Sequence, residues 1–186
     1  AGGAKMSNVI IVLKGDKGIV QLAPLKANLY QGTINLKTTI NARGQIPRLK
    51  IINELKNVQI GDLLQDTVGS QEFTGAANIS ADINTAGNDT SRIIKNSKGI
   101  VKLLVTDGHI KQLDIMTTLR QAQALYRGKE EPTKEQDSNT KFTELKGTFH
   151  IKNGVINNND LATTSPLMAF TGKGYIDLPK EYLDYT

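Results

Sequence analysis

Strict two-residue alternation is the feature that most narrows what this chain can fold into. From Ile34 to Ile40 the apolar Ile34, Leu36 and Ile40 alternate with Asn35, Lys37 and Thr39. Only an extended backbone sends successive side chains to opposite sides, so the stretch predicts a strand with one apolar and one polar face. The pattern returns at Ala77, Ile79, Ala81 and Ile83 against Asn78, Ser80, Asp82 and Asn84. It returns again at Leu145, Phe149 and Ile151 against Lys146, His150 and Lys152. Further strands are predicted over 9–13, 19–22, 49–55, 100–105, 155–161 and 167–178, and a last apolar alternation, 182–185, breaks off in mid-pattern. Turn chemistry separates them: "KGDKG" (14–18), "ARGQIP" (42–47), "TDG" (106–108) and "KNG" (152–154). Connections this short favour antiparallel neighbours.

Helical signals are few. Asp114 is placed as an N-cap ahead of a stripe of Ile115, Leu119, Ala122 and Tyr126, which predicts an amphipathic helix over 114–127 that Gly128 ends. Shorter helices are expected over 60–67 and 89–96, the second capped by Asn88 or Asp89. The polar stretch "KEEPTKEQDSNT" reads as a mobile loop over 128–140. Glycines open several alternating stretches, as in "GTINLKTTI", "GAANISADI", "GIVKLLV", "GTFHI" and "GKGYIDL". Their spacing is too irregular for a solenoid, and a glycine at such a place suits a bend or bulge. The expected fold class is therefore mainly β with a few helices (α+β), built on a curved, largely antiparallel sheet.

Composition removes several chemistries. With no cysteine, disulfides, thiolate metal sites and cysteine nucleophiles are excluded. The net charge of +5 invites a polyanion, yet the densest basic stretch, Arg92, Lys95, Lys98 and Lys102, has no aromatic residues interleaved for base stacking, so no nucleic-acid partner is expected. The two histidines, His109 and His150, have no carboxylate or second histidine at ligand spacing. "NGVINNND" (153–160) lacks the aspartate periodicity and closing glutamate of a calcium loop and reads as a turn entering a strand. Glu130 and Glu131 lie in the charged loop, a poor setting for tuned catalytic carboxyls. No phosphate loop, dinucleotide fingerprint or nucleophile elbow occurs. No catalytic residue, metal ligand or cofactor is expected, and the chain is not expected to be an enzyme.

What remains is surface. Many two-faced strands, no tryptophan and few aromatic side chains describe a broad one-sided apolar sheet face. Two readings stand: helix 114–127 and a second layer close that face into an ordinary core, or the sheet leaves an open apolar groove fit for acyl chains. The inward positions are Ile34, Leu36, Ile40, Ile79, Ile83, Val101, Leu103, Phe149, Ile151, Phe170 and Ile176. No apolar run approaches the roughly 20 residues that span a bilayer. The small, polar opening "AGGAK" suggests that 1–8 is a tag or a disordered start, with one domain over 9–186.

The segments 29–49, 73–122 and 142–185 resemble the C-terminal region of AsmA-like proteins. The most specific parts are "DGHIKQLDIMTTLRQA" (107–122), "G-x-x-x-I-x-N-G-V" (147–155) and "SPLMAFTGKGYIDL" (165–178). The chain departs from the family's usual pattern after the Leu-Tyr pair, where Gln31 replaces a glycine. The resemblance implies a cell-envelope protein of a Gram-negative-type bacterium, periplasmic in its bulk and anchored in the inner membrane in a longer native chain that continues past 186. It further implies a part in outer-membrane assembly, with phospholipid acyl chains as the partner of a β-sheet groove. It carries over no active site. A structural module that pairs its strand edges with other envelope proteins is the alternative.

Overall fold

The computed structural model describes residues 3–111, 139–165 and 169–186. Among the described residues, ten strands form a single antiparallel sheet in which spatial order equals chain order. They are β1 (Met6–Asp16), β2 (Ile19–Leu29), β3 (Gly32–Asn41), β4 (Arg48–Gln59), β5 (Phe73–Ala86), β6 (Lys98–Lys111), β7 (Asn139–Lys152), β8 (Val155–Thr164), β9 (Ala169–Asp177) and β10 (Tyr182–Tyr185). Helix α1 (Ile60–Val68) joins β4 to β5, helix α2 (Thr90–Lys95) joins β5 to β6, and a 3-10 turn, Leu178–Lys180, precedes β10. The fold is mainly β with few helices, as the alternation predicts. The helix expected over 114–127 lies outside the described residues, as does the expected loop up to 138.

Three details differ from the sequence reading. The first strand, expected from Val9, begins at Met6, because Met6 and Ser7 pair with Leu29 and Asn28. The "TDG" at 106–108 does not turn the chain. It lies within β6, where Asp107 takes a left-handed φ of 51° and Gly108 presses against the Phe142 ring, a place with no room for a Cβ. Left-handed and bare positions let a strand kink and carry on as readily as they let it reverse. The sheet is also open and uncurled. Each strand pairs only with its chain neighbours, leaving β1 and β10 at opposite edges, so nothing draws the two edges together.

The hairpin between β2 and β3 shows why glycine is usual there. Tyr30 and Gln31 both have positive φ, 44° and 64°, the pairing of a type I′ two-residue turn that matches strand twist. The side chain of Tyr30 is then used to tie α1 to the sheet. Its hydroxyl donates to Asp66 Oδ2 at 2.7 Å, and Lys5 Nζ bonds the same carboxylate at 3.0 Å. The hydrogen bond from Tyr30, then that from Lys5, hold the Asp66 carboxyl below its ordinary range. At the other end, Asp89 caps α2 by accepting from the Arg92 amide at 2.8 Å.

A left-handed residue with a side chain is strained by about 1 kcal/mol, which glycine largely relieves. Gln31→Gly is therefore expected to raise unfolding stability by about 0.5–1 kcal/mol in denaturant melts, and a loss of stability would show that Gln31 makes a contact the turn depends on.

Candidate functional site

Directly opposed residues of antiparallel strands point to the same side, so the register assigns every side chain to a face. One row runs across the whole sheet: Leu13, Leu22, Thr38, Ile51, Ile83, Gly99, Ile151, Ile156, Ile176 and Leu183, each opposite the next. At about 4.8 Å per strand this row is roughly 40 Å long. A second row carries Leu25, Leu36, Asn53, Ala81, Val101, Phe149, Asn158 and Gly174 on the same face. A third carries Ala27, Ile34, Leu55, Ile79, Leu103 and Gly147. Ile40 lies beside the first row, opposite Leu49. Phe170 lies beside the third, through Thr163, Leu145, Val105 and Ala77.

Every inward position named from the sequence thus falls on one face. Each is half-buried, and none is in the fully buried set, whose apolar members among the described residues are Ala27, Leu29, Val58, Ala77, Val105 and Phe142. That small core gathers where α1 meets the sheet: Ala77, Val105 and Phe142 pack with Ile60 of α1 and with Phe73, whose ring stacks on Phe142 at 5.7 Å. Helix α2 sits on the same face at the opposite strand ends, where Thr85 Oγ1 donates to the Ile93 carbonyl. Between the helices, and out to Leu13 at 66% and Leu183 at 63% exposure, the described residues leave a broad apolar surface.

Two bulges keep this face apolar despite register slips. Leu55 opposes Ile79 while Val58 opposes Ala77, one residue more on β4 than on β5. Asn57, with a φ of 53°, takes up the extra residue so that Leu55 and Val58 both stay inward. In β8 the slip between Asn158 and Leu161 is filled by polar side chains. Buried Asn158 donates to the Thr148 carbonyl at 3.0 Å and to Asp160 Oδ1 at 2.8 Å, and its own Oδ1 accepts from the Leu161 amide and from the Tyr185 hydroxyl. The Tyr185 ring reaches it across β9 by lying over Gly172 and Gly174, where a Cβ at Gly174 would sit 2.6 Å from the ring. This polar cluster interrupts the second row, while the first row runs on past it to Leu183.

Several of these residues escaped the sequence reading. Ile51 precedes Ile52 and Ile156 follows Val155, and such doublets satisfy both phases of an alternation, so only the register chooses between them. Asn158 stands in a polar run that resembles an exposed turn, and only its inward phase, shared with Ile156, betrays it. His109 accepts or donates through Nδ1 to Thr74 Oγ1 at 2.7 Å, and His150 is exposed on the polar face opposite Ile100. Among the described residues, no group of three or more His, Cys, Asp and Glu side chains could hold a metal ion. The polar face carries matched charges such as Lys146–Glu144 at 2.7 Å and Lys56–Glu54 at 3.0 Å.

The described residues form a single-layer antiparallel β-sheet with one apolar side. The chain belongs to the AsmA family: the family's model matches residues 1–161. It is similar to Protein AsmA of Escherichia coli strain K12, at 24% identity over 182 residues that make up 98% of this chain. The chain spans 30% of the length of that relative. No solved structure matches it significantly. Among the described residues, no helix is long and apolar enough to cross a membrane.

Hydrogen bonds from the Thr148 amide, first, and from Asn158 hold the Asp160 carboxyl below its ordinary range. A lowered folded value means that Asp160 contributes stability above about pH 4, the unfolded value, and loses it as pH falls through the folded one. Asp160→Asn keeps an acceptor but no charge. Its melting temperature should lie below that of the wild type at pH 7, and the gap should close on acidification below about pH 4; a gap independent of pH would contradict the assignment.

Proposed function

We propose that this chain is a non-catalytic, periplasmic part of an envelope protein acting in outer-membrane assembly, and that its apolar sheet face holds phospholipid acyl chains. The observation that carries the reading is the continuous row from Leu13 to Leu183, apolar at all but Thr38 and Gly99, with no hydrophobic second layer among the described residues. Transfer of a methylene from water to such a surface is worth about 0.8 kcal/mol. Near-equivalent aliphatic sites, repeated at each strand, bind tails without fixing them at one place, so a bound lipid can slide along the row. Family membership supports the envelope role.

One observation favours a second reading, in which strand edges pair with other envelope proteins. The edge strand β1 exposes Val9 at 49%, Ile10 and Ile11 at 57% and Leu13 at 66%, and an apolar, unpaired edge is a template for another strand.

Native mass spectrometry of the chain purified from bacterial cells, together with a photoreactive residue at Ile79 or Phe149, separates the two. The acyl reading predicts co-purifying phospholipid and lipid crosslinks at both positions. Absence of both, with protein crosslinks at Ile10 instead, would overturn it in favour of edge pairing.

A further inference from the structure

Some cations of the polar face are ion-paired within their own strand or turn. Lys56 and Lys146 each bind a glutamate two residues away on their own strand, at 3.0 and 2.7 Å, and Lys180 binds Asp177 at 2.9 Å. Near the strand ends by α2 several cations converge. Lys50, Asn84, Lys98 and Lys152 stand opposite one another in a single row across β4, β5, β6 and β7. Lys98 and Lys152 are directly opposed, the arrangement in which like charges destabilise a sheet. Neither makes an ion pair among the described residues, and neither does Arg48; Lys50 has only Asp82, at 3.9 Å.

Arg48, Lys50 and Lys98, though not Lys152, line a cleft of about 820 Å³ whose lining also includes Asn84, Asn96 and Asn153 and no carboxylate residue. Three positive charges around one cleft match an oxyanion that accepts from several sides, and arginine adds a planar fork for two of its oxygens. The volume is that of a small-ligand site.

We propose that this cleft is a binding site for a phosphate ester, gripped by Arg48, Lys50 and Lys98, with the bound anion relieving the repulsion between Lys98 and Lys152. The source of the phosphate is either a phospholipid headgroup at the rim of the sheet or a soluble ester. The site lies on the polar face and does not depend on acyl binding by the other face: a phosphate ester without tails probes it alone.

The test is amide NMR of the full chain titrated with glycerophosphate and, separately, with dihexanoyl phosphatidylglycerol below its micelle concentration. Saturable shifts are expected at Asn84, Asn96, Lys98 and Asn153. Lys98→Gln should weaken binding about tenfold while melting no lower than the wild type in ligand-free buffer, because it removes a like-charge neighbour. Tighter binding of the phospholipid by about tenfold would assign the phosphate to a lipid headgroup, and equal affinities to a soluble ester. The proposal is overturned if neither probe binds, if shifts scatter over lysines across the sheet, or if Lys98→Gln leaves the affinity unchanged. Lipid crosslinks at Ile79 that persist in Lys98→Gln would leave the acyl reading standing whichever way this test falls.

Discussion

Everything in this structure depends on the hydrogen-bond register between neighbouring strands. A slip of one residue at any pair would turn that strand's isoleucines towards the polar side and its lysines towards the apolar one. The chain keeps phase across all ten strands, and where the register does slip, as at Asn57 in β4 or beyond Asn158 in β8, a left-handed residue or a polar side chain absorbs the change. The result is a surface rather than a core. Among the described residues, Ala77, Val105 and Phe142 form the buried cluster, beside α1, while most of the apolar face is half-exposed.

That division has an energetic meaning. A soluble domain ordinarily buries its apolar side against a second layer, and an exposed patch of this extent marks a surface that meets something. With backbone hydrogen bonding satisfied along nine strand pairs, the sheet can hold its form through its ladders while its face stays available. The two helices guard the strand ends and leave the middle rows uncovered by any described residue. Binding along such a face needs contact area and little else.

Much of this was legible in the sequence because two-residue alternation is a local property. The strands, α1, α2 and its Asp89 cap, and the shared face of positions as distant as Ile34 and Ile176 all follow from phase alone. What was not legible depends on partners. The inward choice between Ile51 and Ile52 is made by Ile83 across the pair. The kink at Asp107 is a turn signal overruled by pairing with β7 on both sides of it. The burial of Asn158 depends on Tyr185, which lies 27 residues on and reaches it only because Gly172 and Gly174 leave room. The basic row of Lys50, Lys98 and Lys152 is scattered in sequence and becomes a cluster only when three strand pairs bring it together.

The central claim is that the middle rows are a face open to a ligand and that the core is confined to the neighbourhood of α1. Thermal unfolding of Ile83→Asp beside Val105→Asp tests it most directly. Val105→Asp, at a site with no exposure, should fail to fold or lose several kcal/mol. Ile83→Asp should remain folded with a melting temperature near that of the wild type while losing bound lipid. Equal loss of stability in both would show that the face is an ordinary core, covered by more of the protein, and would contradict the account.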